Sequence, residues 1–158
     1  MSFIDELQAA ELHWHFEQAR KAFEAELYLP SILSYLAAIE NSIRITLHQL
    51  NEDKYPDNDE LGTTLSNSLL RIANKAGLPI EKLAFPNEDI ISDIIINKPN
   101  VTIVNIRHNL LHGNILPYIN KEYGIFTPEC LRETAMELDM LSVKWVKSLS
   151  QFRRSKKL

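Results

Sequence analysis

An all-α, up-and-down helical bundle is what this sequence predicts, and three observations carry the prediction. Apolar residues recur at helical intervals over long stretches free of internal glycine and proline. Only four glycines occur in 158 residues, too few for a loop-rich or all-β fold. Proline and Asn/Asp clusters fall between the periodic stretches and mark where they stop. Together they give about four long helices and one short one.

The first stretch places Phe3, Leu7, Ala10, Trp14, Phe16, Ala19, Phe23 and Leu27 at helical spacing in an Ala- and Glu-rich setting. Pro30 ends it and can open a second helix as its first residue. That helix, about 30–50, aligns Leu33, Leu36, Ile39, Ile43 and Leu47 on one stripe, and the tight connection makes the pair an αα-hairpin. An acidic stretch around Pro56 reads as a loop. A third helix is expected from about Asp59 to Lys75, ending at Gly77 with Pro79 beyond. Residues 81–97 read as irregular chain plus a short helix, with Ile90, Ile91, Ile94 and Ile95 on one face. Asn100 is a candidate cap for the next helix. The opening run Val101-Thr102-Ile103-Val104 alone suggests a strand, but apolar residues continue at helical intervals as far as Gly113. Thr127-Pro128 begins the last helix as cap and first residue, and Leu131, Ala135, Leu138, Trp145, Leu149 and Phe152 mark its buried stripe. The two tryptophans, Trp14 and Trp145, read as core or interface residues.

Composition bounds the rest. With 45% hydrophobic and 24% charged residues the chain has the balance of a folded protein, and its length fits one domain, 1–150, with a basic tail at 151–158. No apolar run approaches the roughly 20 residues of a membrane helix. The N-terminus lacks the pattern of a secretory signal, and a single Cys130 suits a reducing compartment. A cytoplasmic protein with no membrane partner is expected. Residues 51–60 by themselves hold a net charge equal to the −4 of the whole chain, so no broad basic surface advertises nucleic acid and any RNA contact must be local. The tail basics Arg153, Arg154, Lys156 and Lys157 are read as offsetting a helix dipole and keeping the end soluble.

Chemistry concentrates in Arg107-His108-Asn109-Leu110-Leu111-His112-Gly113-Asn114, a polar island in an apolar helix. On an ideal helix Arg107 and His112 lie about 140° apart and about 7.5 Å along the axis, within reach of one phosphate given arginine's length. Gly113 ends the helix there and exposes the histidine at a rim. A guanidinium can hold two phosphate oxygens and stabilise transition-state charge, and an imidazole exchanges protons near neutral pH. The combination suits phosphodiester chemistry.

This segment resembles the motif of the HEPN superfamily: an arginine, a polar residue, and a histidine after four to six intervening positions, followed by Gly113. Upstream, Ala37-Ala38-Ile39-Glu40-Asn41-Ser42-Ile43-Arg44 is similar to the family's second helix, where an acidic residue faces the motif. The resemblance implies a HEPN-like bundle and metal-independent RNA cleavage by a homodimer, without a cofactor, the two motifs facing one cleft. Arg107 and His112 would be catalytic. His108, Asn109, Glu40 and Asn114 would position the substrate, Glu40 by orienting Arg107 or His112. The resemblance also implies a toxin or antiviral defence role with an antitoxin or defence partner, and no DNA substrate. Asn114 stands where relatives silenced by a nucleotidyltransferase antitoxin carry tyrosine, which argues against that mode of control.

Other readings compete. His108 and His112 have the H-x-x-x-H spacing of two zinc ligands, but Asn109 replaces the glutamate a zinc hydrolase needs, and nothing points to Glu40 or His48 as a third ligand. His13 and His15 read as surface or packing residues. Glu40 and Arg44 match an ordinary i,i+4 pair. Ser34, Ser42 and Cys130 lack a recognisable base. The main alternative is a non-catalytic HEPN dimer serving as a nucleotide- or RNA-binding or scaffold module.

Overall fold

The computed structural model describes residues 10–51, 64–96 and 98–158, and the fold they form is all-α. The acidic stretch 52–60, the expected start of the third helix at Asp59, and Phe3 and Leu7 of the first stripe lie outside the described residues.

Helix α1 (Ala10–Glu24) and α2 (Tyr28–Leu50) form the expected hairpin, turning through Glu26 at φ 60°. Pro30 is the third residue of α2 and not its first. The position tolerates proline because first-turn N–H groups have no partner within the helix. α2 is the spine of the molecule: α1 packs along it, and α6 (Arg132–Ser155) crosses it from another side. Its Tyr35, Leu36, Ile39, Ile43 and Leu47 are buried among Phe16 of α1 and Leu138, Trp145 and Leu149 of α6. Trp145 is completely buried and its indole N–H donates to Ser42 Oγ at 2.9 Å, which satisfies the polar edge that burial would otherwise strand. Trp14 behaves differently. It is 63% exposed, so it is no core residue.

Helix α3 spans Asn67–Lys75. Ser66 caps it, accepting from Leu69 N–H at 3.2 Å, and residues 64–66 are not helical, so the start lies well after Asp59. A 3₁₀ turn (Ile80–Leu83) and the short α4 (Ile90–Asp93) follow; Ile90 and Ile94 are buried, whereas Ile95 points outward. Helix α5 (Thr102–Leu111) carries the polar motif. Asn100 does not cap it. The N–H of Thr102 donates to Glu88 Oε1 at 2.7 Å and that of Val101 to Asn67 Oδ1 at 3.1 Å, so distant side chains close this end. After a loop with a 3₁₀ turn (Leu116–Tyr118), Thr127 and Cys130 form a reciprocal cap on a second 3₁₀ turn (Pro128–Leu131), which leads into α6. α6 continues into the expected tail as far as Ser155, and Arg153 is buried, donating to Thr46 Oγ1 at 3.0 Å and Gln49 Oε1 at 2.6 Å. That arginine ties α6 to α2, and a purely solubilising part for it is corrected. No helix among the described residues is long and apolar enough to cross a membrane.

Candidate functional site

The site forms where α5 crosses the outer face of α2. Positions 33, 36, 37, 40, 41 and 44 share one face of α2 by helical spacing. Leu36 is buried there and the others are half-buried. Between this face and α5 lies a groove of about 290 Å³. One end is apolar, lined by Leu33, Leu36, Ala37 and Leu111; the other is polar, lined by Glu40, Asn41, Arg44 and Arg107.

Glu40 organises the polar end. Its Oε2 accepts from Arg107 Nε at 3.1 Å and from the backbone N–H of Leu65 at 2.8 Å, while its Oε1 lies 3.5 Å from Arg44 Nε. The backbone bond pins the carboxylate, and the carboxylate in turn fixes the Nε edge of Arg107. The terminal nitrogens of Arg107 make no hydrogen bond among the described residues, so its two-pronged end is left for a ligand. Two guanidiniums, those of Arg44 and Arg107, thus flank one carboxylate at this end. A planar, pre-oriented arginine of this kind suits a phosphate oxygen pair.

Beyond the groove, α5 ends at His112, which is exposed, and Gly113 takes φ +70°. A Cβ on Gly113 would meet nothing within 4 Å, so it is the left-handed backbone that asks for glycine there. The rings of His108 and His112 lie 4.5 Å apart between centroids, tilted by 51°. Among the described residues no cluster of three or more His, Cys, Asp or Glu accompanies them, so the pair has no third metal donor there. Asn109 and Asn114 are brought to one another: Asn114 Nδ2 donates to Asn109 Oδ1 at 3.0 Å and Asn114 N–H to Asn109 O at 2.8 Å. The half-buried Tyr118 leans on the same amide; burial pushes its phenol above the usual range and the bond from Asn109 partly offsets this.

The structure thus joins Glu40 to Arg107, His108 to His112, and Asn109 to Asn114. The hydrogen bonds of Glu40 go to Arg107 and Leu65, and none among the described residues goes to His112. Arg44, read from sequence as half of an ordinary helix pair, is part of the groove, as are Asn41 and the apolar shelf. The signal for them was the helical spacing from Leu33 to Arg44, of which Leu33 and Leu36 had been assigned to the core stripe. Ser42 is buried, with its Oγ engaged by Trp145 and Ile39 O. Compared with family models, curated proteins and solved structures, the chain finds no match.

Proposed function

We propose that the chain is a HEPN-type, metal-independent endoribonuclease that acts as a homodimer. The observation that carries this reading is Arg107, held at its Nε by a pinned Glu40 with its two-pronged end toward a groove, and followed on the same helix by an exposed His112. Arg107 grips the scissile phosphate and stabilises the charge that builds on its oxygens. His112 takes the proton of the RNA 2′-hydroxyl, whose oxygen attacks phosphorus as the 5′-oxygen leaves. The departing oxygen collects a proton from His112 of the partner subunit, since one imidazole that has just accepted a proton on the nucleophile side cannot serve both sides unaided. The products are a 2′,3′-cyclic phosphate and a 5′-hydroxyl, and DNA, lacking the nucleophile, is not cut. His108, Asn109 and Asn114 line the approach on the RNA side.

Exposed apolar side chains beside the motif support pairing of two copies on this face. Leu111 is 51% and Leu116 72% exposed, more apolar area than an isolated helix end needs to show. An RNA endonuclease of broad target range would arrest growth unless restrained, and the proposed role is accordingly that of a toxin or antiviral protein with an antitoxin or defence partner.

The test incubates purified protein and an Arg107→Ala/His112→Ala variant with RNA in EDTA and identifies the fragment ends. Cutting that resists chelation, needs both residues and leaves cyclic phosphates is the expected result. Cutting abolished by EDTA, or RNA left intact by the wild type, rejects the reading; sizing that finds only monomer rejects the shared cleft.

A further inference from the structure

The paired histidines of α5 have a use that cleavage does not exhaust. We propose that His108 and His112 of two copies together hold one divalent ion of the zinc class, and that the bound ion switches cleavage off. The pairing of copies and the activity restrained belong to the ribonuclease reading, on which this inference rests; the two-nitrogen half-site stands on the geometry of one chain. The N–H of His112 donates to His108 O at 3.1 Å, so the two residues keep helical register, about 40° apart around the axis and about 6 Å along it. Their ring centroids are 4.5 Å apart and their planes are tilted by 51°. Two imidazoles that ligate one ion at about 2.0–2.1 Å per nitrogen have ring centres roughly 4.5–5 Å apart, which is the spacing found. Both rings are exposed, so small rotations that aim two nitrogens at one point are unhindered by packing. Neither ring has a hydrogen bond among the described residues that an ion would have to displace.

The donors choose the ion. Imidazole suits zinc, nickel and copper, whereas magnesium and calcium ask for oxygen ligands. Two nitrogens are half of a tetrahedron, and no third His, Cys, Asp or Glu joins them among the described residues. A two-fold axis supplies the other half without a new residue type, because whatever one copy presents there the partner presents as well. The pair stands on the face where two copies are proposed to meet: Leu111, 51% exposed, precedes His112, and Leu116, 72% exposed, lies four residues on. These leucines, covered in the dimer, would shield a four-nitrogen site from water. The consequence for cleavage follows from the imidazole itself. A neutral ring has one nitrogen that accepts and one that carries hydrogen. His112 bound to metal through the first has no site left for the 2′-hydroxyl proton, so the ion and the reaction exclude one another.

Zinc binding is measured on the full-length chain by competition with a coloured chelator, with no RNA present. One zinc per two chains is expected, together with a shift of the sizing profile toward dimer. Cobalt(II) in its place should give the intense visible absorption of a tetrahedral site. His108→Ala and His112→Ala should each weaken zinc binding by at least the roughly 10- to 100-fold that even outer-shell partners of a metal are worth. His15→Ala, at an exposed position on α1, should not. Cleavage is then read within each protein as the ratio of rates with and without zinc. Wild type should be inhibited and EDTA should restore it. His108→Ala, whatever its own rate, should cut equally well at a zinc concentration that inhibits the wild type. Wild-type protein that cuts RNA but binds zinc no better than His108→Ala overturns the metal site and leaves the ribonuclease standing. One zinc per two chains, lost in both histidine variants, in a protein that cuts nothing upholds the four-histidine site while the ribonuclease reading falls. One zinc per single chain, the weak cobalt spectrum of an octahedral ion, or inhibition that persists in His108→Ala overturns the proposal.

Discussion

Two arginine–carboxylate stations adjoin helix α2, one between α1 and α6 and the other toward α5. At the first, Asp139 of α6 accepts from the hydroxyl of Tyr35 and lies 2.8 Å from Arg20 Nε of α1. At the second, Glu40 meets Arg107 and Arg44. The two carboxylates are equally shielded, each with 16% of its side chain exposed, so burial does not tell them apart. What differs is the third party. Asp139 is joined to a completely buried tyrosine where three helices meet, and the station knits the core. Glu40 is joined to a backbone N–H and faces a groove beside two exposed histidine rings. The same ion pair therefore serves packing in one place and, on the proposed reading, catalysis in the other; an open volume with a proton-exchanging group beside it is the distinguishing mark.

The sharpest way to break this contrast is to damage each station and measure both stability and cutting. His112→Ala or Arg107→Ala should lower the rate of RNA cleavage by about 10²- to 10⁴-fold. The exposed His112→Ala should leave unfolding by urea within about 0.5 kcal/mol of the wild type. Tyr35→Phe should do the reverse. It strips a hydroxyl donor from a carboxylate held between helices, at a cost of about 1–3 kcal/mol in stability, with cleavage unaltered. Loss of cleavage in Tyr35→Phe with a wild-type unfolding curve would erase the distinction.

Tyr35 also has a pH signature. Burial, aided by the bond to Asp139, holds its phenol well above the ordinary tyrosine value, while Arg20 opposes the shift. A group whose titration is raised on folding stabilises fully below its unfolded value, here near pH 10, and that stability drains as pH climbs through the folded value. Wild-type unfolding free energy should therefore fall from about pH 10 upward, and Tyr35→Phe should fall less steeply. The raised Tyr118 retains some slope in both proteins. Parallel curves would refute the buried-phenol account.

Much of this architecture was legible because helices announce themselves locally. The stripes of α2 and α6 are written at intervals of three and four residues, and Leu36, Ile39, Ile43, Leu138 and Leu149 are buried as those stripes require. The motif on α5 was legible as a polar island. The parts that were not legible depend on residues far apart in the chain. Asn100 looked like a cap by position, but Asn67 and Glu88 reach the end of α5 from 34 and 14 residues away. Arg153 looked like a solvated tail residue, and only the crossing of α6 over α2 shows that Thr46 and Gln49 await it. The contact of Glu40 with Arg107 spans 67 positions and was foreseen only through a family resemblance. The helical spacing from Leu33 to Arg44 marks one wall of the groove, but the groove itself is the space left by the packing of two helices and is not written in either alone.

The smallest expected effect on stability is also the finest test of the open station. Glu40→Gln keeps an oxygen where Leu65 N–H and Arg107 Nε need an acceptor, and it removes the charge shared by two partly exposed arginines. Partly exposed ion pairs of this kind are worth about 0–1 kcal/mol each, so unfolding should shift little. Cleavage should respond more, in both kinetic constants. With the carboxylate gone the groove gains a net positive charge, so KM for RNA should fall. With a neutral acceptor Arg107 is held less firmly, so kcat should fall as well, within about tenfold. Glu40→Ala removes the acceptor outright and should lower kcat further while KM stays below that of the wild type. A merely structural Glu40 would move stability and leave both kinetic constants near their wild-type values. A joint fall of KM and kcat at nearly constant stability is therefore what identifies a carboxylate that positions an arginine for work.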